Sequence, residues 1–227
     1  MTRERPVDGL EELYPFLYSG TSDLDAVLRQ VEQSTVDKVH EIVALRGDVL
    51  AADRDRLFAC AQDLARAFRG GGRLLAFGNG GSSTDAQDLA SLFLSPAGDA
   101  KPLPAFGLTN DIAVVTALSN DIGFDVVFAR QIGAFGRPGD IAVGLSTSGN
   151  SANLVRAFDE AARRGLVTVG IAGYDGGKMA ELDSIDHLFV VPSPSVHRIQ
   201  EAQTTLYHAL WELTLGALDD LAKGDQP

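Results

Sequence analysis

The sequence has a single cysteine, one tryptophan and no uninterrupted apolar stretch long enough to cross a membrane. With Cys60 alone among 227 residues, neither an internal disulfide framework nor a cysteine-based metal cluster can form. A membrane span takes about 20 consecutive apolar residues, and the first residues lack the basic-then-apolar order of a signal peptide. These absences predict a cytoplasmic protein with no membrane segment.

Basic residues are scarce relative to acidic ones. Lys and Arg number 19 against 31 Asp and Glu, which gives a formal net charge of −12. Such a chain repels phosphate backbones, so direct nucleic-acid binding is disfavoured. Hydrophobic residues make up 45% and charged residues 22% of the sequence, a composition typical of a globular domain.

The pattern predicts an N-terminal extension followed by one domain. Residues 1–22 contain two prolines and two glycines, too many for a long helix, and we expect them to lie on a surface or on a partner subunit. Residues 23–227 form the predicted domain. It begins with an N-terminal helical segment in two stretches separated by polar residues, and a second helix stops at three consecutive glycines, residues 70–72.

After residue 72 short apolar runs alternate with helical patterns. This alternation indicates βαβ units and therefore an α/β fold with a parallel sheet covered by helices on both faces. Strands are predicted near residues 73–77, 103–108, 141–145, 167–172 and 188–191. Helices are predicted near residues 84–94, 124–135, 153–164 and 196–221.

Two loops between strands and helices have the composition of a phosphate site. Residues 77–83, Phe-Gly-Asn-Gly-Gly-Ser-Ser, combine three glycines with two hydroxyls directly after the first strand. Residues 146–151, Ser-Thr-Ser-Gly-Asn-Ser, place four hydroxyls before a later helix. Backbone amides, hydroxyls and a helix dipole can hold a phosphate dianion without a basic side chain.

Each loop also has an ordinary interpretation. Ser82 with Asp85 fits a capping box, and Ser151 fits a simple N-cap. The occurrence of both loops at the predicted edge of one sheet favours the functional interpretation. Neither loop ends in Gly-Lys-Ser/Thr, and Ser83 stands where the third glycine of a dinucleotide motif belongs. A nucleotide cofactor is therefore disfavoured, and a small-molecule sugar phosphate fits better.

Five ordered motifs resemble the phosphoheptose isomerase (sedoheptulose 7-phosphate isomerase) family of the SIS domain superfamily. The resemblance runs from about residue 39 to about residue 218. The motifs are FGNGGSSTDAQD (77–88), SNDIGFDVVFARQ (119–131), RPGDIAVGLSTSGNSANL (137–154), DGGKMAEL (175–182) and RIQEAQTTLYH (198–208).

The resemblance implies a flavodoxin-like five-stranded parallel sheet and a homotetramer with active sites between subunits. It implies aldose–ketose interconversion of sedoheptulose 7-phosphate and a heptose 7-phosphate, often with a bound zinc ion (Zn2+). The residues that it assigns to the phosphate are Ser82, Ser146, Thr147, Ser148 and Ser151. Asn79 and Asp111 match positions that contact the sugar, and Gln200 and His208 are retained on the last helix.

The chain departs from the family at three positions. Asp88 stands where the family usually has a histidine, and Leu92 stands where it has a glutamate that serves as base and metal ligand. His197 stands at an acidic position of the family, so a histidine and an aspartate appear exchanged. Aldose–ketose isomerisation needs a base for a carbon-bound proton and an acid or metal at the carbonyl. The candidate catalytic residues are therefore His208, Asp88 and His197.

A zinc site is predicted from Asp88, Gln200 and His208, with His197 as a possible fourth ligand. Gln200 and His208 are eight residues apart on one helix, about 12 Å along its axis. If both serve one small site, different subunits must supply them. A lone histidine on an apolar helix is also commonly a packed core residue.

Two further functions stay open at this point. A catalytically silent sugar-phosphate-binding or adaptor protein would keep the loops and explain Leu92. A hexosamine-phosphate enzyme of the wider superfamily would explain the loops but not the last motif. His40 and His187 are assigned no role.

Overall fold

The computed structural model describes residues 24–96, 98 and 100–224. The predicted extension, residues 1–22, lies outside these described residues. Contacts divide the chain into two units, one ending at Ala44 and the other beginning at Leu45. The assignment of residues 23–227 to a single domain therefore stays a prediction. The first helix, α1 (Leu24–Ala52), is continuous and covers the helical pattern predicted from residue 23, including its polar gap.

The second unit contains a five-stranded parallel sheet, in the strand order β2-β1-β3-β4-β5. The predicted α/β fold class and the flavodoxin-like sheet are thereby confirmed. The strands are β1 (Leu74–Gly78), β2 (Ala105–Gly107), β3 (Ile141–Ser146), β4 (Val167–Gly173) and β5 (His187–Val191). The further α-helices are α2 (Arg54–Arg69), α3 (Gly81–Leu94), α4 (Ile112–Asp121), α5 (Val127–Phe135), α6 (Ala152–Arg163) and α7 (Val196–Gly224).

Two helices differ from the prediction in ways that bear on the site. α3 begins at Gly81, three residues earlier than predicted, which places Ser82 in its first turn. α4 was missed entirely. Its first four residues are all apolar and none of its residues is fully buried, so its sequence lacks a clear amphipathic period of the kind that identifies a helix. No helix of the described residues is long and apolar enough to span a membrane.

The core behind β1 and β3 is aromatic. The ring of Phe77 lies 5.4 Å from those of Phe128 and Phe158, measured between centroids, and all three side chains are buried. Gly144 on β3 lets these rings approach, because a Cβ there would lie 2.5 Å from Phe158 and 2.7 Å from Phe77. This packing fixes the two central strands whose ends carry the polar loops.

The buried carboxylate of Asp140 lies at the end of the sheet where β1 and β3 begin, opposite the polar loops. Asp140 is 2% exposed and accepts hydrogen bonds from the backbone N of Arg73 (2.9 Å), the Nη2 of Arg73 (2.7 Å) and the backbone N of Arg137 (3.0 Å). Burial by itself raises the pKa of Asp140, but the hydrogen bonds and the charge of Arg73 outweigh it, and the pKa is lowered. The group therefore stabilises the start of both β1 and β3.

We predict that Asp140→Asn lowers the free energy of unfolding at pH 7 by about 2 kcal/mol, because charge-assisted hydrogen bonds are lost. A lowered folded-state pKa adds stability above the unfolded pKa and loses it as the pH falls. The difference between the wild type and the variant should therefore shrink below about pH 4. Urea unfolding at several pH values measures this, with Asp219→Asn on the exposed end of α7 as control. A difference that persists at low pH would contradict the account.

Candidate functional site

The sheet topology brings the two polar loops together. β1 and β3 are parallel neighbours, with Gly78 opposite Leu145 at their carboxyl ends. From β1 the chain continues to β2 on one side, and from β3 it continues to β4 on the other. The carboxyl ends of β1 and β3 therefore flank the point where strand order reverses, the usual ligand crevice of an open α/β sheet.

The first loop turns through glycine directly into α3. Gly80 has φ +54° and is the N-cap residue, with no side-chain cap. Gly78 has no space for a Cβ, which would lie 2.4 Å from the carbonyl oxygen of Ser82. Ser82 is 4% exposed and does not cap the helix, so the capping-box interpretation of Ser82 with Asp85 is wrong.

The second loop is shaped by its own hydroxyls. The backbone N of Gly149 donates to the Ser146 Oγ (3.0 Å), and that of Asn150 donates to the Ser148 Oγ (3.2 Å). Gly149 has φ +65°, and a Cβ there would lie 1.9 Å from the carbonyl oxygen of Gly176. Ser151 is the N-cap residue of α6, but its side chain makes no cap hydrogen bond.

A reciprocal pair of amide side chains joins the loops. Asn79 Nδ2 donates to Asn153 Oδ1 at 2.9 Å, and Asn153 Nδ2 donates to Asn79 Oδ1 at 2.9 Å. Asn153 is 3% exposed, on the first turn of α6. The N-termini of α3 and α6 are thus held side by side.

This crevice has the chemistry of an anion site. Two helix N-termini provide positive potential, and hydroxyl groups provide adjustable donors. Lys and Arg are absent from both loops. The hydroxyl-bearing residues are Ser82, Ser146, Thr147, Ser148 and Ser151.

The last helix, α7, contacts both loops. The Gln200 amide packs against Gly81, where a Cβ would lie 2.2 Å from Gln200 Nε2, and it hydrogen-bonds to Asp85. Burial raises the pKa of Asp85, the bond from Gln200 offsets part of that rise, and the neighbouring charge of Asp88 adds to it. Gln203 is fully buried, and its Nε2 donates to the carbonyl oxygens of Ser146 (3.4 Å) and Ile171 (3.2 Å).

One pair of the predicted catalytic residues meets farther along α3 and α7. His208 Nε2 lies 3.7 Å from Asp88 Oδ2, and the two side chains are 43% and 52% exposed. The Tyr207 hydroxyl donates to the same Asp88 oxygen at 2.7 Å. Burial and the bond to Asp88 raise the pKa of Tyr207, so this hydroxyl stays protonated.

The other predicted residues lie elsewhere. His197 is on the exposed first turn of α7, about 16 Å along the helix from His208, so the two do not meet within one protomer. Asp111 is the N-cap of α4 and accepts from the backbone N of Val114 at 3.1 Å. Leu92 is one turn after Asp88 on α3. The roles assigned to these residues stay predictions.

The predicted zinc ligands do not fit a zinc ion within one protomer. Asp88 and His208 are close, but Gln200 lies at Gly81 and Asp85, about 12 Å from His208 along α7. The Asp88 Oδ2 already accepts the Tyr207 hydroxyl. Among the described residues no group of three His, Cys, Asp or Glu side chains is placed to hold a metal.

Comparison with known proteins decides the family. Residues 39–173 match the SIS domain family. The phosphoheptose isomerase of Roseiflexus sp. (strain RS-1) is 40% identical over 179 residues, 78% of this chain and 90% of that protein. That of Paramagnetospirillum magneticum is 45% identical over 172 residues, 75% of this chain and 86% of that protein. The chain belongs to the phosphoheptose isomerase family of SIS domain proteins.

Solved structures of phosphoheptose isomerases have the same fold. That of GmhA from Neisseria gonorrhoeae has a TM-score of 0.75 and 36% identity, covering 81% of this chain and 99% of that chain. That from Francisella tularensis has a TM-score of 0.73 and 28% identity, covering 86% and 98%. The resemblance stated from the five motifs is confirmed.

The sequence patterns did not identify three residues that shape the site. Asn153 joins the loops, Gln203 ties α7 to the second loop, and Tyr207 holds Asp88. All three lie within the quoted motifs, and two of them, Asn153 and Tyr207, each pair with a distant residue. Their partners are 74 and 119 positions away, so only the folded chain pairs them.

We predict that Asn153→Ala weakens binding of inorganic phosphate by about tenfold, because the two helix N-termini lose the hydrogen bonds that hold them together. Isothermal titration calorimetry measures the affinity. Asn120→Ala, on exposed α4, is the matched control. Unchanged phosphate affinity in Asn153→Ala would contradict a role of the amide pair in shaping the crevice.

Proposed function

We propose that this chain interconverts sedoheptulose 7-phosphate and a heptose 7-phosphate. The observation that carries the proposal is the sharing of one crevice by two hydroxyl-bearing loops, with an aspartate–histidine pair formed between α3 and α7. Ser82 and Asp88 are six residues apart on α3, about 9 Å along the axis. In a heptose 7-phosphate the reacting carbons and the phosphate are at opposite ends of the carbon chain. The distance between Ser82 and Asp88 therefore lets the phosphate lie at one residue and the reacting carbons at the other.

The phosphate end of the substrate binds to the loops. The Ser82 and Ser151 hydroxyls make no hydrogen bond to other described residues, so both are available to donate to phosphate oxygens. Ser146, Thr147 and Ser148 line the second loop beside them. The helix N-termini stabilise the phosphate dianion, so the loops need no basic side chain to bind it.

The reacting end lies at Asp88 and His208. One of the two removes the proton from the carbon next to the carbonyl, and the other protonates the carbonyl oxygen, which yields an enediol. Return of a proton to the former carbonyl carbon, together with removal of the proton from the hydroxyl on the other enediol carbon, forms the new carbonyl and completes the exchange between ketose and aldose. No external oxidant or reductant is needed, because the hydrogen shift is internal to the sugar.

The remaining candidate residues are proposed to contact the sugar between its phosphate and its reacting carbons. Asn79, whose amide already bonds to Asn153, lines the crevice beside the phosphate. Gln200 lies between the loops and the Asp88–His208 pair and contacts the middle of the sugar. Asp111, at the carboxyl end of the neighbouring β2, is proposed for a sugar hydroxyl.

We further propose a homotetramer with active sites between subunits, in the cytoplasm. Apolar side chains that are 39–63% exposed along α1 support an assembly, because an unpartnered apolar face favours association. They are Val27, Leu28, Val31, Val36, Val39 and Val43. In such an assembly His197 would act on a neighbouring subunit's site, since it is far from His208 on its own helix.

We predict that Ser148→Ala raises the KM for sedoheptulose 7-phosphate by about tenfold or more, because a hydrogen bond to a charged phosphate is lost. The turnover number should change much less. A steady-state isomerase assay measures both. Ser91→Ala, on the exposed side of α3, is the control. An unchanged KM would remove Ser148 from the phosphate site.

We predict that His208→Asn lowers kcat at least about 100-fold while sedoheptulose 7-phosphate still binds, because an acid–base group is lost from a site whose phosphate loops remain. The assay and calorimetry together separate the two effects. A wild-type chain that binds the sugar phosphate but does not convert it would contradict the proposed reaction and favour a silent binding protein.

A further inference from the structure

The buried side chain of Tyr207 hydrogen-bonds to Asp88, one of the proposed catalytic residues. Its side chain is 1% exposed and is among the largest fully buried side chains of the molecule. A buried tyrosine hydroxyl needs a hydrogen-bond partner. Here the partner is Asp88, whose Oδ2 accepts the Tyr207 hydroxyl at 2.7 Å. The bond therefore joins the core to a half-exposed carboxylate.

The same carboxylate oxygen faces His208. The distance between His208 Nε2 and Asp88 Oδ2 is 3.7 Å, and the rings of Tyr207 and His208 are stacked, with centroids 5.2 Å apart and an interplanar angle of 29°. Tyr207 thus contacts both members of the pair. Asp88 and His208 remain accessible to substrate, while Tyr207 lies behind them.

Ring packing limits the freedom of this hydroxyl. A fully buried tyrosine ring is confined by its neighbours, whereas an aspartate on a half-exposed helix face turns freely about its side-chain bonds. The Tyr207 hydroxyl is the donor in this bond, because a carboxylate oxygen can only accept. One Asp88 oxygen is therefore held in a single position relative to His208.

We propose that Tyr207 is the positioning residue of the Asp88–His208 pair, and that its hydrogen bond, in place of a bound zinc ion, holds the carboxylate for proton transfer. This inference rests on the proposed isomerase function. It follows from the donor set, since Leu92 supplies no ligand and the Asp88 Oδ2 already accepts the Tyr207 hydroxyl.

The test is Tyr207→Phe, which removes only the hydroxyl and keeps the ring in the core. With sedoheptulose 7-phosphate in chelator-treated buffer, kcat should fall about 10- to 100-fold, because the carboxylate loses its fixed position. KM should change less than about threefold. Tyr174→Phe removes a hydroxyl from a tyrosine that is 38% exposed and should leave both constants unchanged.

A double-mutant cycle separates positioning from a general structural effect. In an Asp88→Ala background, Tyr207→Phe should cause no further loss of kcat, because no carboxylate remains to be held. Calorimetry should show unchanged binding of sedoheptulose 7-phosphate by Tyr207→Phe. Titration of the chelator-treated wild type with zinc chloride should show no stoichiometric binding.

The possible results separate the proposed positioning role of Tyr207 from the proposed isomerase function on which it rests. Normal kcat in Tyr207→Phe, or an equal loss in the presence and absence of the Asp88 carboxylate, would overturn the positioning role. If the wild type loses its activity on chelation and recovers it with zinc, the claim that the Tyr207 hydrogen bond takes the place of zinc is contradicted. A wild-type chain that does not convert sedoheptulose 7-phosphate would contradict the proposed function itself.

Discussion

The parallel pairing of β1 with β3 is the constraint on which the site depends. It places Gly78 beside Leu145, so the chain leaves both strands at one edge and enters two helices there. The Asn79–Asn153 amide pair then holds the helix N-termini together. An anion site without basic side chains requires this proximity, because the potential of a helix N-terminus falls off within its first turn.

The last helix extends this arrangement from binding to chemistry. Its residues contact the first loop through Gln200, the second loop through Gln203 and Asp88 through Tyr207. A helix advances 1.5 Å per residue, so α7 sets the distance between the two loops and the Asp88–His208 pair. The separation is therefore a property of the helix.

Asp88 and Leu92 stand at positions where the resemblance implies a histidine and a glutamate. The structure shows which side chains Asp88 contacts. Asp88 lies between a buried tyrosine hydroxyl and an accessible histidine. An aspartate held in this way can take part in proton transfer without the ligand set that the family pattern implies. Leu92 contributes neither a charge nor a ligand to this pair.

The sequence alone determined the α/β fold, the glycine- and hydroxyl-rich character of the two loops and the family, because apolar period, loop composition and motif order are local properties of the chain. It placed the start of α3 three residues late and missed α4, whose first four residues are all apolar and hide its period. Tertiary structure alone decided which side chains meet. Tyr207 reaches Asp88 across 119 positions, because contacts between distant residues depend on packing rather than on spacing along the chain. His197 and His208 do not meet within one protomer, because one continuous helix separates them by about 16 Å.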